Sequence, residues 1–214
     1  MCIVNSNIID SIVKELEIDD IRSASIRQIG AVVRAAEART GTEFIHFEMG
    51  VPGLPPSAVG VKAECEALQR GVASVYPIID GIPEVKEQAS RFIKAFVNTD
   101  IRPEGCIPTV GSMQASFASL MLASQLDEKR DTVLYIDPGF PVQKMQAQVI
   151  GVKIASFDIA ECRGKALEDK LESYFKNGNI CAVLYSSPNN PTWMCLNDQQ
   201  AAAIITPKRQ SIPQ

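Results

Sequence analysis

The stretch Ile180-Cys181-Ala182-Val183-Leu184-Tyr185-Ser186-Ser187-Pro188-Asn189-Asn190-Pro191-Thr192-Trp193 decides the fold. Its first six residues form a short apolar run with strand character. An Asn-Asn-Pro loop follows, more constrained than a simple connection needs, because the residue before a proline is restricted and an amide side chain must be placed. Upstream, strand-like segments at 106–110, 132–136 and 152–156 are separated by helical stretches at 112–126, 141–149 and 165–176. Strand, helix and strand at this spacing predict an α/β three-layer sandwich with a mostly parallel sheet between helices. Such sheets bind ligands beyond the carboxyl ends of their strands, so the turns after 110, 136 and 185 are the ones to inspect.

The first of these turns is Thr109-Val110-Gly111-Ser112-Met113-Gln114, strand into helix. Backbone N–H groups and the positive end of the helix dipole make such a start an anion site, but by itself Ser112 reads first as a helix N-cap. Neither G-x-G-x-x-G nor G-x-x-x-x-G-K-[ST] is present, so no dinucleotide or Walker-type site is indicated. The second turn, Asp137-Pro138-Gly139-Phe140-Pro141, holds one aromatic ring at the sheet edge, either to stack on a flat heteroaromatic ligand or to tuck into the core. The third is the Asn-Asn-Pro loop.

Before residue 105 the chain reads as mostly helical. Two apolar stripes run through 7–40 and end at Thr40-Gly41, and helices are predicted at 57–70 and 83–97. Pro83 stands at a first-turn position of the latter, and Val85, Ala89, Phe92, Ile93 and Phe96 share one face. A short strand is predicted at 44–49, followed by a loop rich in glycine and proline.

Composition narrows the chemistry. With 214 residues, 46% of them hydrophobic and 21% charged, the chain is neither disordered nor collagen-like, and its length suits one large domain or one with an appendage. Twenty-one Lys+Arg against 25 Asp+Glu leave a net charge of −4 with no basic stripe, which argues against nucleic acid as a partner. No apolar run reaches the length of a membrane span and no signal peptide opens the chain, so a soluble cytoplasmic protein is expected. The six cysteines are scattered without a C-x-x-C pair and read as buried, reduced thiols. The single histidine, His46, reads as a packed structural residue and leaves no Ser-His-Asp or Cys-His site and no metal site of the usual kind. Chemistry must therefore come from a cofactor, carboxylates or lysines.

Gly-Ser-Met-Gln (111–114), Asp-Pro-Gly-Phe-Pro (137–141) and Ser-Pro-Asn-Asn-Pro-Thr (187–192) together resemble the cofactor loops of the fold-type I, pyridoxal-phosphate-dependent aminotransferases of class I/II. Gly50-x-Pro52 with Pro56, and Tyr76-Pro77 with Gly81-Ile82-Pro83-Glu84-Val85-Lys86, are similar to that family's substrate-side glycine loop and Tyr-then-Gly segment. The order fits from about 44 to 197. The resemblance implies an N-terminal helical arm over 1–43 and the N-terminal part of the cofactor-binding large domain over 44–197.

The resemblance assigns roles to these positions. Gly111, Ser112 and Met113 would hold the phosphate of pyridoxal 5′-phosphate, Phe140 would stack on its ring, and Asn190 would donate to its phenolic oxygen and line the substrate site. Gly50 would line the pocket for the amino-acid carboxylate. Tyr76 would reach the phosphate in the partner subunit, implying a homodimer with shared sites. The substrates would be an amino acid and a 2-oxo acid. Cis peptide bonds are expected before Pro138 and Pro191.

Departures accompany the match. Trp193 stands where the family usually has glycine, and Val85-Lys86 replaces Leu-Arg, read as a conservative surface-helix change. The family's downstream Asp, Schiff-base Lys and carboxylate-binding Arg have no counterparts: Lys208 is neither at the right distance nor in the right setting, and no catalytic residue is assigned. The segment 198–214, polar with two prolines, reads as an aberrant or truncated tail from a frameshift or premature stop. The expectation is an aminotransferase by resemblance that is inactive as this chain alone. The alternatives are a non-catalytic truncated fragment or a ligand-binding aminotransferase-like module, the latter without a basic DNA-binding helix-turn-helix at either end.

Overall fold

The computed structural model describes residues 5–47, 50–51, 53–162 and 164–205. Its contacts divide the chain after Tyr76 into two compact units, whereas the sequence reading placed the arm at 1–43 and the large-domain part at 44–197.

The first unit is built on two apolar helical stripes that bury each other. Helix α1 (Ser6–Glu15) is capped by Asn5, whose side chain accepts from Asn7 N, and α2 (Ile26–Thr40) opens with a capping box between Ser25 and Gln28 and stops at Gly41, φ +65°. Ile12, Ile18, Val32 and Ala36 make its core, with Phe44 packed against them. Residues 44–47 form no strand despite their alternation. No neighbouring strand pairs with them; instead Glu37 Oε1 accepts from Phe44 N at 3.0 Å and lies 3.4 Å from His46 Nε2. His46 is thus tethered at the surface rather than packed in the core. A third helix, α3 (Ala58–Gln69), follows and buries none of its side chains.

In the second unit, α4 (Pro83–Val97) has Pro83 in its first turn as expected, yet its apolar face is not sealed: Val85, Phe92 and Phe96 stay exposed, Phe96 at 76%. The helix packs on the three-residue turn Pro103–Gly105, too short to cover it. Its one buried residue is Lys86, 7% exposed, whose ammonium lies 2.9 Å from Asp80. The exchange at Lys86 is therefore not a surface-helix change. The predicted strand at 106–110 is also absent. Pro108 lacks an N–H to donate, and Ile107 and Val110 are exposed, so nothing there favours joining a sheet.

From α5 (Gly111–Gln125) onward the alternation holds: β1 (Thr132–Asp137), α6 (Val142–Val149), β2 (Lys153–Asp158), α7 (Lys165–Phe175), β3 (Ile180–Leu184) and α8 (Asp198–Ile205). The strands form a parallel sheet in the order β2-β1-β3, with Leu134 opposite Ala155 on one side and Val183 on the other. Central β1 is buried on both faces, and its period of two divides its side chains between two cores. Val133 and Tyr135 join Leu120 of α5 and Ala147 of α6; Leu134 and Ile136 join Leu167 and Leu171 of α7 and Ile204 of α8. Each fully buried leucine here stabilises the fold by about 1.5–3 kcal/mol relative to exposure. Ile204 belongs to the segment read as an aberrant tail, and the described part of that segment is helical and docked on the sheet. The five described cysteines are free but not buried: Cys65 and Cys195 are exposed and Cys106, Cys162 and Cys181 half-buried. The buried-thiol expectation holds in part: Cys162 and Cys181 pack against the two cores, whereas Cys65 and Cys195 are exposed.

Candidate active site

All three turns singled out by the sequence lie in the second unit; a hydrogen bond joins the second to the third, and α6, which follows the second, bonds to the first. Helix α5 starts at Gly111 with φ +70°, a left-handed conformation suited to glycine, and nothing lies within 4 Å of where a Cβ would stand. Its flanking residue is Val110, without a side-chain cap. Ser112 is therefore inside the first turn and is not the N-cap, and the first-turn N–H groups, including those of Ser112 and Met113, have no intrahelical acceptors. Gln146 of α6 anchors this turn, Nε2 donating to Met113 O at 2.8 Å while its Oε1 accepts from Ser116 Oγ at 2.7 Å.

Helix α6 begins directly after the Phe140 loop. Asp137 ends β1 and pairs with Lys144 of α6 at 2.5 Å, bracing the loop between them. Phe140 is 42% exposed rather than tucked into the core. Peptide bonds are cis before Pro138 and Pro191, as expected, and also before Pro188. Beneath the loop, Tyr135 donates to Gln143 O at 2.9 Å; burial pushes its phenol up to about 12.

The loop after β3 is organised by Asn189, a residue the sequence reading passed over. At 8% exposure its amide donates to Pro138 O at 2.6 Å and to Ser186 Oγ at 3.3 Å. Its Oδ1 accepts from Thr192 N at 3.2 Å and Thr192 Oγ1 at 2.7 Å. Asn190 is exposed, its N donating to Ser186 Oγ at 3.3 Å, and Trp193, where the family usually has glycine, takes φ +60° and is 80% exposed. The signal for Asn189 was the Asn-Asn pair itself, in which only the buried member can serve as a brace.

Tyr76 and Gly50 belong to the first unit. Tyr76 is fully exposed, and a Cβ on Gly50 would meet nothing within 4 Å. Pro52 and Lys208 lie outside the described residues.

The start of α5 has no side-chain cap, and Phe140 and Asn190 are exposed on the loops after β1 and β3; by residue type these groups suit a flat, phosphorylated heteroaromatic.

A model of the family described as aminotransferase class I and II matches residues 42–213, and the chain belongs to that family. It is 31% identical to glutamate-pyruvate aminotransferase AlaC of Escherichia coli over 78% of this chain and 40% of that protein. It is 27% identical to a probable aspartate aminotransferase of Methanocaldococcus jannaschii over 81% of this chain and 43% of that protein. Among solved structures, an aminotransferase from Mycobacterium tuberculosis superposes with a TM-score of 0.70 at 19% identity, covering 87% of this chain and 48% of that one. The aspartate aminotransferase from Rhizobium meliloti gives 0.68 at 22%, covering 88% and 46%. At those identities the structures establish the shared fold. The chain spans less than half the length of these relatives.

Proposed function

We propose that this chain supplies the phosphate- and ring-facing part of a pyridoxal 5′-phosphate site in an aminotransferase that moves an amino group between an amino acid and a 2-oxo acid. The observation that carries the reading is the linked set of three turns, α5 start, Phe140 loop and Asn190 loop, in a chain of this family. Residues 44–197 then form the N-terminal part of the large domain, behind a helical arm over 1–43, in a cytoplasmic homodimer.

The N–H groups of Ser112 and Met113 bind the phosphate, with Gly111 allowing close approach and Ser112 Oγ as a further donor. Phe140 orients the ring by stacking and excludes water from its face. Asn190 donates its amide to the phenolic oxygen and lines the substrate site; Gly50 lines the pocket for the substrate carboxylate, and Tyr76 reaches the phosphate in the partner subunit. When bound, the cofactor supplies an electron sink for the charge that develops at the amino-acid Cα. The amine that would fix the cofactor and move that proton is assigned to no residue of this chain, and the reading is that the chain alone is inactive in transamination.

Titrating the full chain with pyridoxal 5′-phosphate while following the emission of its single tryptophan, Trp193, tests the binding reading. Saturable quenching is expected; its absence overturns the cofactor assignment. Borohydride treatment followed by mass spectrometry is expected to give no stoichiometric pyridoxyl adduct at a single lysine, and such an adduct overturns the assignment of the amine to no residue of this chain.

A further inference from the structure

Resting on that cofactor reading, we propose that Asn189 is a positioning residue: its side-chain amide holds the loop carrying Phe140 in register with the loop carrying Asn190. The two loops follow different strands, and the bond from Asn189 Nδ2 to Pro138 O joins positions 51 residues apart. Asn189 uses its whole side-chain capacity, two donated and two accepted hydrogen bonds. Reversing the amide would set Oδ1 against Pro138 O and Nδ2 against the Thr192 N–H, so the partners fix its orientation. Its backbone is engaged too, N donating to Met194 O at 2.8 Å and O accepting from Trp193 N at 2.7 Å.

Packing supports the far end of this loop, where Met194 and Leu196 rest against the core. A cavity of about 220 Å³ adjoins it, lined by Ile136, Ile159, Tyr185, Met194, Leu196 and Asn189 among others. Trp193 offers its ring to solvent rather than to a core. At the near end of the loop, where residues 190–193 are exposed, the polar network around Asn189 sets where Asn190 stands relative to Phe140. A ring held between a stacking face and an amide donor depends on that spacing, whereas a phosphate at the start of α5 does not, because Asn189 makes no bond to α5.

The test uses the full chain and two readouts: affinity for pyridoxal 5′-phosphate from Trp193 quenching, and the rise in urea midpoint produced by inorganic phosphate. Asn189→Asp keeps an acceptor for Thr192 but turns a carboxylate oxygen toward Pro138 O, and Asn189→Ala removes the whole network. Both are expected to weaken the cofactor about tenfold while the phosphate response stays within about twofold, as Asn190→Ala should also do. Thr192→Val, which loses the hydroxyl donor to Asn189 and the 3.4 Å bond from Met194 N but keeps the Thr192 N–H bond to Asn189, is expected to cost about threefold and carries the test if the Asn189 variants do not fold. Wild-type cofactor affinity in Asn189→Asp, or in Thr192→Val where that variant carries the test, overturns the inference, as does equal loss of cofactor and phosphate binding, the mark of a merely structural role. If the wild-type chain itself shows no quenching, the cofactor reading falls first and the inference with it.

Discussion

Gln146 of α6 donates its amide to Met113 O at 2.8 Å, so the first turn of α5 is held by a helix that begins immediately after the Phe140 loop. An anion site made of backbone N–H groups is only as well placed as the turn that carries it. Gln146→Leu removes this bond and the 2.7 Å bond from Ser116 Oγ, which keeps Met113 O at 3.1 Å. The variant is expected to lose about 1–2 kcal/mol of stability in a urea melt and to lose most of the stabilisation that inorganic phosphate gives the wild type.

Ser112 distinguishes capping from ligand binding. Because α5 has no side-chain cap and Ser112 lies inside its first turn, Ser112→Ala is expected to change stability by less than about 0.5 kcal/mol. Its affinity for phosphate should nevertheless fall, read by isothermal calorimetry. A loss of stability of about 1 kcal/mol or more without loss of phosphate affinity would restore the capping role.

Leu167 and Phe96 differ in what their removal costs. Leu167 is fully buried against β1, and Leu167→Ala should destabilise the chain by about 2–5 kcal/mol. Phe96 stacks on Phe92 at 4.5 Å on an exposed face, and Phe96→Ser should change the urea midpoint little while raising solubility, measured by light scattering.

Stability should fall at both ends of the pH scale. Asp80 is held below its ordinary 3.8 by its hydrogen bond from Lys86, and Asp131 likewise by Lys153 and then Thr132. A depressed carboxyl contributes stability that is present above its unfolded value and lost as pH falls through the folded one, so the urea midpoint should drop below about pH 4. Tyr135 shows the opposite sign: its phenol, raised by burial from 10.0 to about 12, keeps its proton longer in the folded chain. Its contribution is complete below pH 10 and disappears as pH rises toward 12. Tyr135→Phe should remove that alkaline loss, followed by tyrosinate absorbance together with circular dichroism.

The sequence reading succeeded where the determinants are local. Helix limits at Thr40-Gly41 and Pro83 follow from a C-terminal glycine and a first-turn proline, and the alternation from residue 132 to 184 follows from strand and helix periodicities. It failed where a partner was needed. Among the described residues, 106–110 and 44–47 have strand-like composition but pair with no strand, and the main packing partner of α4 is a short turn.

The amino-acid sequence by itself determined the α/β class, the order of the three cofactor-loop motifs and the family they belong to, because these depend on residue type at short spacing. Tertiary structure alone decided which asparagine of the pair is buried, which helix holds the first turn of α5, and that Lys86 lies beneath the surface of α4. Burial and the choice of hydrogen-bond partner depend on groups 33 and 51 residues away, as in Gln146 to Met113 and Asn189 to Pro138, and no local pattern encodes which distant carbonyl an amide will meet.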